Sequence, residues 1–250
     1  MKKALMNFCL QMGDNNLILG QQLAAWCSRG PILEEDLALT NLSLDHFGQA
    51  EMFFNYYAEL EGNGRTADDV AFLREERAFK NNLLVEQPNG DFAATLLRQY
   101  LYSAFAHLLY SGMKMSEDLR LSAIAEKADK ETNYHIKHSA DWLIRMGNGT
   151  EESKRRLVYA LKELWMFSED LFLENEDTEE LFEMKAIPSL SALKALWELE
   201  VKELFQEAGL NIPEHSHMIK GGITGYHTEH LGHLLCEMQF LQRAYPGAKW

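Results

Sequence analysis

The apolar positions of the chain recur with a helical period over most of its length. Leu19, Leu23 and Trp26 follow one another at i, i+4 and i+7, and Asp14 is a good N-cap, so the pattern predicts a first helix over residues 14–28. A second helix is expected from Leu33 to Glu61, because Gly62-Asn63-Gly64 ends that pattern. Further helices are expected over residues 67–84, 91–115, 116–147, 151–173, 189–208 and 228–245.

The pattern also predicts how these helices are arranged. Residues 96–109 are apolar on nearly all sides, which indicates a central, buried helix. The acidic run over residues 174–180 is interpreted as a solvated connector, since most charge runs lie in water. Short connections between long helices are typical of an antiparallel bundle. No linker interrupts the pattern, so we expect a single domain over residues 1–250.

The composition favours helices over strands. The chain contains 38 Leu and 24 Ala, against 4 Val and 9 Ile. Leu and Ala lose least on entering a helix, whereas sheets prefer β-branched residues. We therefore predict an all-α protein.

Charge and cysteine content narrow the possible functions. The formal net charge is -14, which argues against binding to nucleic acid or to anionic lipid, because both depend on Lys and Arg. Three cysteines far apart in the sequence favour a reducing compartment. Neither a signal peptide nor an apolar run of about 20 residues is seen. The sequence thus predicts a cytoplasmic protein with no nucleic-acid or membrane partner.

A bundle of long helices often holds a pair of metal ions. Such a site takes one Glu from each of two helices and a Glu-x-x-His from each of the other two. The predicted long helices contain no Glu-x-x-His, and two places come close to one. Asp45 is followed at i+3 by Gly48, and His135 is preceded at i−3 by Thr132. The helix that begins at Asp91 contains no further Asp or Glu, so a metal pair would lack ligands.

Several segments resemble a known bacterial family. These segments are residues 33–39, 82–90, 227–232 and 237–239, together with Trp250. They are similar to the C subunits of phenylacetyl-CoA ring 1,2-epoxidases, the PaaC family. The resemblance covers essentially the whole chain. It implies a ferritin-like four-helix bundle with additional packed helices, and a paralogue of the di-iron subunit that has lost the metal ligands itself.

The resemblance also implies where the lost ligands stood. Their positions carry two carboxylates and one imidazole, where the catalytic relative has four carboxylates and two imidazoles. We therefore expect no metal and no catalytic residue in this chain. The degenerate positions are Asp14, Asp45, Gly48, Ser103, Thr132 and His135.

Three interpretations of the pseudo-site remain open. Asp45 and His135 are buried vestiges that hydrogen bonds or a salt bridge satisfy, or partly exposed residues with no special role, or ligands of a bound metal. A second group of residues belongs to the resembling segments and is interpreted as interface or structural. This group comprises Glu86, Pro88, Asn89, His227, Glu229 and His230.

The resemblance implies a non-catalytic structural subunit of an oxygenase. Its partner would be the catalytic subunit, which holds the di-iron centre, and other subunits of the complex could also contact it. A reductase subunit would use NADPH, FAD and an iron–sulfur cluster. Alone, the chain is expected to form a homodimer and to be inactive. Two alternatives stay open: an autonomous di-metal oxidase or oxygenase, and a stand-alone helical scaffold.

Overall fold

A computed structural model describes residues 2–213 and 217–248 of the chain. Within these residues it contains ten α-helices and no β-strand, so the predicted all-α class is confirmed. None of these helices is long and apolar enough to cross a membrane. The helices are α1 (Lys2–Ala24), α2 (Leu33–Glu61), α3 (Ala67–Phe72), α4 (Phe92–Met113), α5 (Leu119–Gly147), α6 (Glu151–Leu164), α7 (Glu176–Glu183), α8 (Leu190–Glu207), α9 (Glu229–Met238) and α10 (Phe240–Ala244).

The chain divides into two compact units. The first unit comprises residues 1–88 and 221–250, and the second comprises residues 89–220. The first unit contains α1, α2, α3, α9 and α10, whereas α4 to α8 lie in the second. Each unit holds one pair of long helices, α1 with α2 and α4 with α5. The single domain expected over residues 1–250 stays a prediction.

In the first unit, α1 and α2 pack closely against each other. The Ser43 hydroxyl on α2 donates a hydrogen bond of 2.8 Å to the carbonyl of Gly20 on α1. Nearer the other end of the pair, a Cβ placed on Gly13 would lie 2.3 Å from Cε1 of Phe54. Glycine is therefore needed at position 13 for the two helices to approach this closely.

In the second unit, α4 is buried on nearly all sides, as its apolar stretch predicts. It packs against α5, α6 and α8. The indole N–H of Trp197 on α8 donates to the carbonyl of Leu101 at 3.0 Å. Trp165 stacks on Trp197 with ring centroids 5.7 Å apart. Large aromatic rings thus fill the space around the central helix.

Several predicted boundaries are confirmed. Helix α2 has the predicted ends, and Gly62 closes it in the left-handed conformation (φ 73°), with its N–H donating to the carbonyl of Ala58. Asp91 is the N-cap of α4 and accepts a hydrogen bond from the N–H of Ala94 at 3.1 Å. Ser189 is the N-cap of α8.

The predicted start of the first helix is wrong. Helix α1 begins at Lys2, and Asp14 lies in its middle rather than at its N-cap. The buried residues Ala4, Phe8 and Met12 continue the helical apolar period toward the N-terminus. A buried Asp within a helix looks the same in the sequence as an exposed Asp that caps one.

The helix expected over residues 67–84 is also wrong beyond its first turns. Helix α3 ends at Phe72, and a 3-10 turn over Glu76–Ala78 is the remaining helical part. The backbone N–H groups of Lys80 and Asn82 donate to side chains of α1, at 2.8 Å and 2.6 Å. These hydrogen bonds replace those that would have continued a helix.

Three further predictions need correction. The acidic run is not a connector, because Asn175 and Thr178 form a capping box that starts α7, and Leu181 buries one side of this helix. The helix expected over residues 151–173 ends at Leu164, and a 3-10 segment follows. The last predicted helix is divided at Gln239, whose side chain is buried.

Candidate functional site

Asp14 lies at the centre of a buried ion pair in the first unit. Its side chain is fully buried, and both of its carboxylate oxygens accept hydrogen bonds from the guanidinium of Arg74. Nη1 of Arg74 lies 3.0 Å from Oδ2, and the N–H of Lys80 donates to the same oxygen at 2.8 Å. The guanidinium also lies over the ring of Phe79, 4.2 Å from its centroid. A cation of the chain itself therefore holds the first-helix carboxylate.

Neither of the two pseudo-site positions on α2 carries a fully buried ligand side chain. Asp45 is half-buried, and a Cβ built on Gly48 would meet no atom within 4 Å. The buried imidazole of this helix belongs instead to His46, whose Nδ1 lies 2.8 Å from Oδ1 of Asn16 on α1. The sequence search did not single out His46, because its i−3 residue is Ser43 rather than a carboxylate.

The remaining pseudo-site positions lie in the second unit. Ser103 on α4 is fully buried, and its hydroxyl accepts a hydrogen bond from Gln99 at 2.9 Å. Thr132 on α5 is buried and donates to the carbonyl of Ala128 at 2.8 Å. His135, one turn further along α5, is fully buried. Each hydroxyl is thus engaged within its own helix.

The residues present do not fit the di-iron centre that the resemblance implies for the catalytic relative. A carboxylate bound on both oxygens by a guanidinium is not open to a metal, and neutral hydroxyls are poor ligands for iron. Among residues 2–213 and 217–248, no group of three or more His, Cys, Asp or Glu side chains could hold a metal ion.

A second buried carboxylate organises the segments singled out by the resemblance. Glu86 is fully buried and accepts four hydrogen bonds in the first unit. One oxygen accepts from Asn81 Nδ2 and lies 2.8 Å from His227 Nδ1. The other accepts from the N–H and the hydroxyl of Thr228, at 2.6 Å and 2.8 Å. Glu86 therefore ties the loop after α3 to the start of α9.

His227 is held in its protonated form by this arrangement. Its side chain is fully buried, Nδ1 faces the Glu86 carboxylate, and Nε2 lies 3.0 Å from the carbonyl of Phe79. Both neighbours can only accept, so both ring nitrogens must donate. Burial alone would lower the pKa of His227, but the hydrogen bond and charge of Glu86, the Phe79 carbonyl and the charge of Asp14 together raise it above its ordinary value.

The other residues of this group are placed differently. Pro88 is exposed, and Asn89, half-buried in the second unit, accepts a hydrogen bond of 2.5 Å from Arg98 Nη2. At the start of α9, Glu229 is exposed and His230 is half-buried. Trp250, which carried part of the resemblance, lies outside the described residues.

A third polar cluster, in the second unit, was not expected from the sequence. Asp129 on α5 lies 2.8 Å from His107 Nδ1 and accepts from Lys114 Nζ at 2.6 Å, both on or just after α4. Burial raises the pKa of Asp129, but Lys114 and His107 together lower it by more than burial raises it, so the net shift is downward. These contacts join α4 to α5, and no local motif could have revealed them.

Comparisons with known proteins agree with the resemblance. A family described as "Phenylacetic acid catabolic protein" matches residues 1–250. The chain is 46% identical over 243 residues to the C subunit of 1,2-phenylacetyl-CoA epoxidase from Escherichia coli strain K12, and the match covers 97% of this chain and 98% of that protein. The family is ferritin-like, so the predicted fold class is confirmed. The chain belongs to the phenylacetic acid catabolic protein family.

Proposed function

We propose that this chain is a non-catalytic, structural subunit of a phenylacetyl-CoA 1,2-epoxidase. It would pair with the di-iron catalytic subunit and support it. The similarity to a protein named as the C subunit of such an epoxidase supports the assignment to the complex. The observation that carries the non-catalytic role is the Asp14–Arg74 ion pair.

The ion pair matters because of what oxygen chemistry requires. Activation of O₂ by non-haem iron needs a metal held by carboxylates with coordination positions left open. To free Asp14 for a metal, Arg74 would have to leave its buried partner. Separation of a buried pair costs about 3–5 kcal/mol because a charge remains uncompensated. Arg74 thus keeps this carboxylate in a structural role.

In the proposed complex, the chemistry belongs to other chains. The di-iron subunit would place one oxygen atom on the aromatic ring of phenylacetyl-CoA, with electrons from NADPH delivered by an FAD and iron–sulfur reductase. This chain contributes a helical frame in which buried carboxylates are neutralised by cations of the same chain. None of its cysteines, Cys9, Cys27 and Cys236, forms a disulfide in the described structure, in keeping with work in the reducing cytoplasm.

Reconstitution tests the proposal. The chain, the catalytic subunit and the reductase are purified separately from the same source, and NADPH oxidation that depends on phenylacetyl-CoA is measured. We expect no turnover from the chain with reductase alone, and full turnover when both subunits are present as one species in size-exclusion chromatography. Turnover by the chain without the catalytic subunit would contradict the non-catalytic role. Failure of the two subunits to co-elute would contradict the pairing.

A further inference from the structure

Helix α2 presents a row of exposed leucines near its N-terminal end. The exposed fractions are 71% for Leu33, 56% for Leu37 and 62% for Leu44. We call these three residues the leucine face. Single exposed leucines are common on protein surfaces, whereas several on one side of a helix indicate a binding surface.

The spacing of this row is that of a helix seam. Positions 33, 37, 40 and 44 are separated by four, three and four residues, which is the spacing of contact positions between packed helices. Leucines occupy three of these positions, and the half-buried Thr40 occupies the fourth. Leu39, Leu42 and Phe53 are fully buried and lie on another side of α2, and the ring of Phe53 packs edge-on against Phe8 of α1. The leucine face is therefore a second apolar side of the same helix, and it lies in solvent.

Charge next to the leucine face indicates the chemistry of what covers it. The exposed Glu34 flanks the seam in its first turn, whereas the Asp36 carboxylate accepts a hydrogen bond from the N–H of Gly30 at 3.0 Å. Helix α2 contains no Lys or Arg. Flanking charges choose the partner in helix pairs of this type. A second copy of this chain would bring acidic residues against acidic residues. A helix with Lys or Arg beside its apolar stripe would be complementary.

We propose that the leucine face docks an amphipathic helix of the catalytic subunit, whose apolar stripe is flanked by Lys or Arg. This inference rests on the proposed function, because it names the surface through which the two subunits pair. The acidic first turn also suits the N-terminal end of the α2 dipole. Interaction with the helix dipole does not explain why leucines are exposed at three positions on one side of the helix.

Variants matched in chemistry and exposure test the surface. The double variant Leu37→Ser/Leu44→Ser alters the leucine face, and Leu196→Ser/Leu199→Ser on α8 is the control, since these leucines are 50% and 55% exposed. Affinity for the purified catalytic subunit is measured by titration calorimetry, and melting temperatures check folding. We expect the α2 variant to bind about tenfold more weakly or worse, and the control to bind within about twofold of the parent chain.

Charge reversal gives a second measurement. Glu34→Lys should weaken binding by about threefold or more at low salt, and less at high salt, since salt screens exposed charges. Glu163→Lys, at an exposed position of α6, is its control. If the α2 double variant melts well below the parent chain, the comparison of Glu34→Lys with Glu163→Lys decides whether the leucine face binds the catalytic subunit.

The outcomes separate the inference from the proposed function. If the parent chain does not bind the catalytic subunit, both fall. If the parent chain binds while both α2 variants bind as tightly as their controls, the leucine face is not the interface, and the subunit role stands. A homodimer through the leucine face that is tighter than the complex with the catalytic subunit, and that the catalytic subunit does not displace, would assign the face to a second copy and overturn the inference.

Discussion

Two fully buried carboxylates, Asp14 and Glu86, each find their cation far along the chain. Arg74 is 60 residues from Asp14, and His227 is 141 residues from Glu86. A buried charge without a partner is costly, so these pairs bring distant segments of the first unit to defined positions. The two pairs also lie close enough together for their charges to interact, because the charge of Asp14 contributes to the raised pKa of His227.

Removal of the cation from Asp14 should be strongly destabilising. Arg74→Met leaves a buried carboxylate uncompensated, and we expect the free energy of unfolding to fall by about 3–5 kcal/mol. Asp14→Asn/Arg74→Met should recover part of this loss, because no uncompensated charge is then buried at this pair. Urea denaturation of the three chains measures both effects. The control is Arg65→Met, which removes the partly exposed Arg65–Glu61 pair and should cost below about 1 kcal/mol. Equal losses for Arg74→Met and the control would contradict the structural role of the buried pair.

The protonated His227 predicts a dependence of stability on pH. Its pKa is raised in the folded chain above the ordinary value of 6.5. The stabilisation is therefore complete below about pH 6.5 and is lost as pH rises through the folded pKa. His227→Gln should lower stability by about 1–3 kcal/mol at acidic pH, with a smaller difference from the parent chain at alkaline pH. His233→Gln, at an exposed position, should show no such trend. A difference for His227→Gln that grows with pH would show that the imidazole is neutral.

At the level of helices, the features that could be predicted are those that depend on residues close together in the sequence. The ends of α2 and the caps Asp91 and Ser189 were predictable because a cap acts on its own helix. The missing ligands at Gly48 and Thr132 were visible for the same reason, since a ligand motif is a spacing within one helix. The partner of Asp14 was not predictable, because nothing near Arg74 in the sequence distinguishes it from a surface arginine.

Two glycines inside long helices should respond oppositely to the same substitution. At Gly48, an added methyl group meets no atom within 4 Å, so Gly48→Ala should stabilise the chain by about 0.5–1 kcal/mol through helix propensity. At Gly13, the methyl group would collide with Phe54, and Gly13→Ala should destabilise by about 1–3 kcal/mol. Thermal and urea unfolding measure both. A loss of stability for Gly48→Ala would mean that this position is packed in solution.

For the whole molecule, the residues at the degenerate ligand positions predict a metal-free chain. We expect the purified protein to contain far less than one iron, manganese or zinc ion per chain, because Arg74 holds Asp14 and hydroxyls stand at positions 103 and 132. Plasma emission spectroscopy measures this, with the catalytic subunit prepared in the same way as the positive control. Near-stoichiometric metal that a chelator removes together with an absorption band would contradict the prediction.

The net charge and the leucine face together predict how the chain behaves without a partner. An exposed apolar row favours self-association, since apolar surface is costly to leave in water. The exposed Glu34 beside the face, and a net charge of -14, oppose it. Because salt screens that repulsion, we expect the homodimer to strengthen between about 0.05 M and 0.5 M NaCl. Light scattering over a concentration series measures the dissociation constant at both salt concentrations.

Leu37→Ser/Leu44→Ser should stay monomeric at both salt concentrations, whereas Leu196→Ser/Leu199→Ser should follow the parent chain. A homodimer that weakens with salt would require oppositely charged contacts, which α2 does not offer, and its interface would then lie elsewhere.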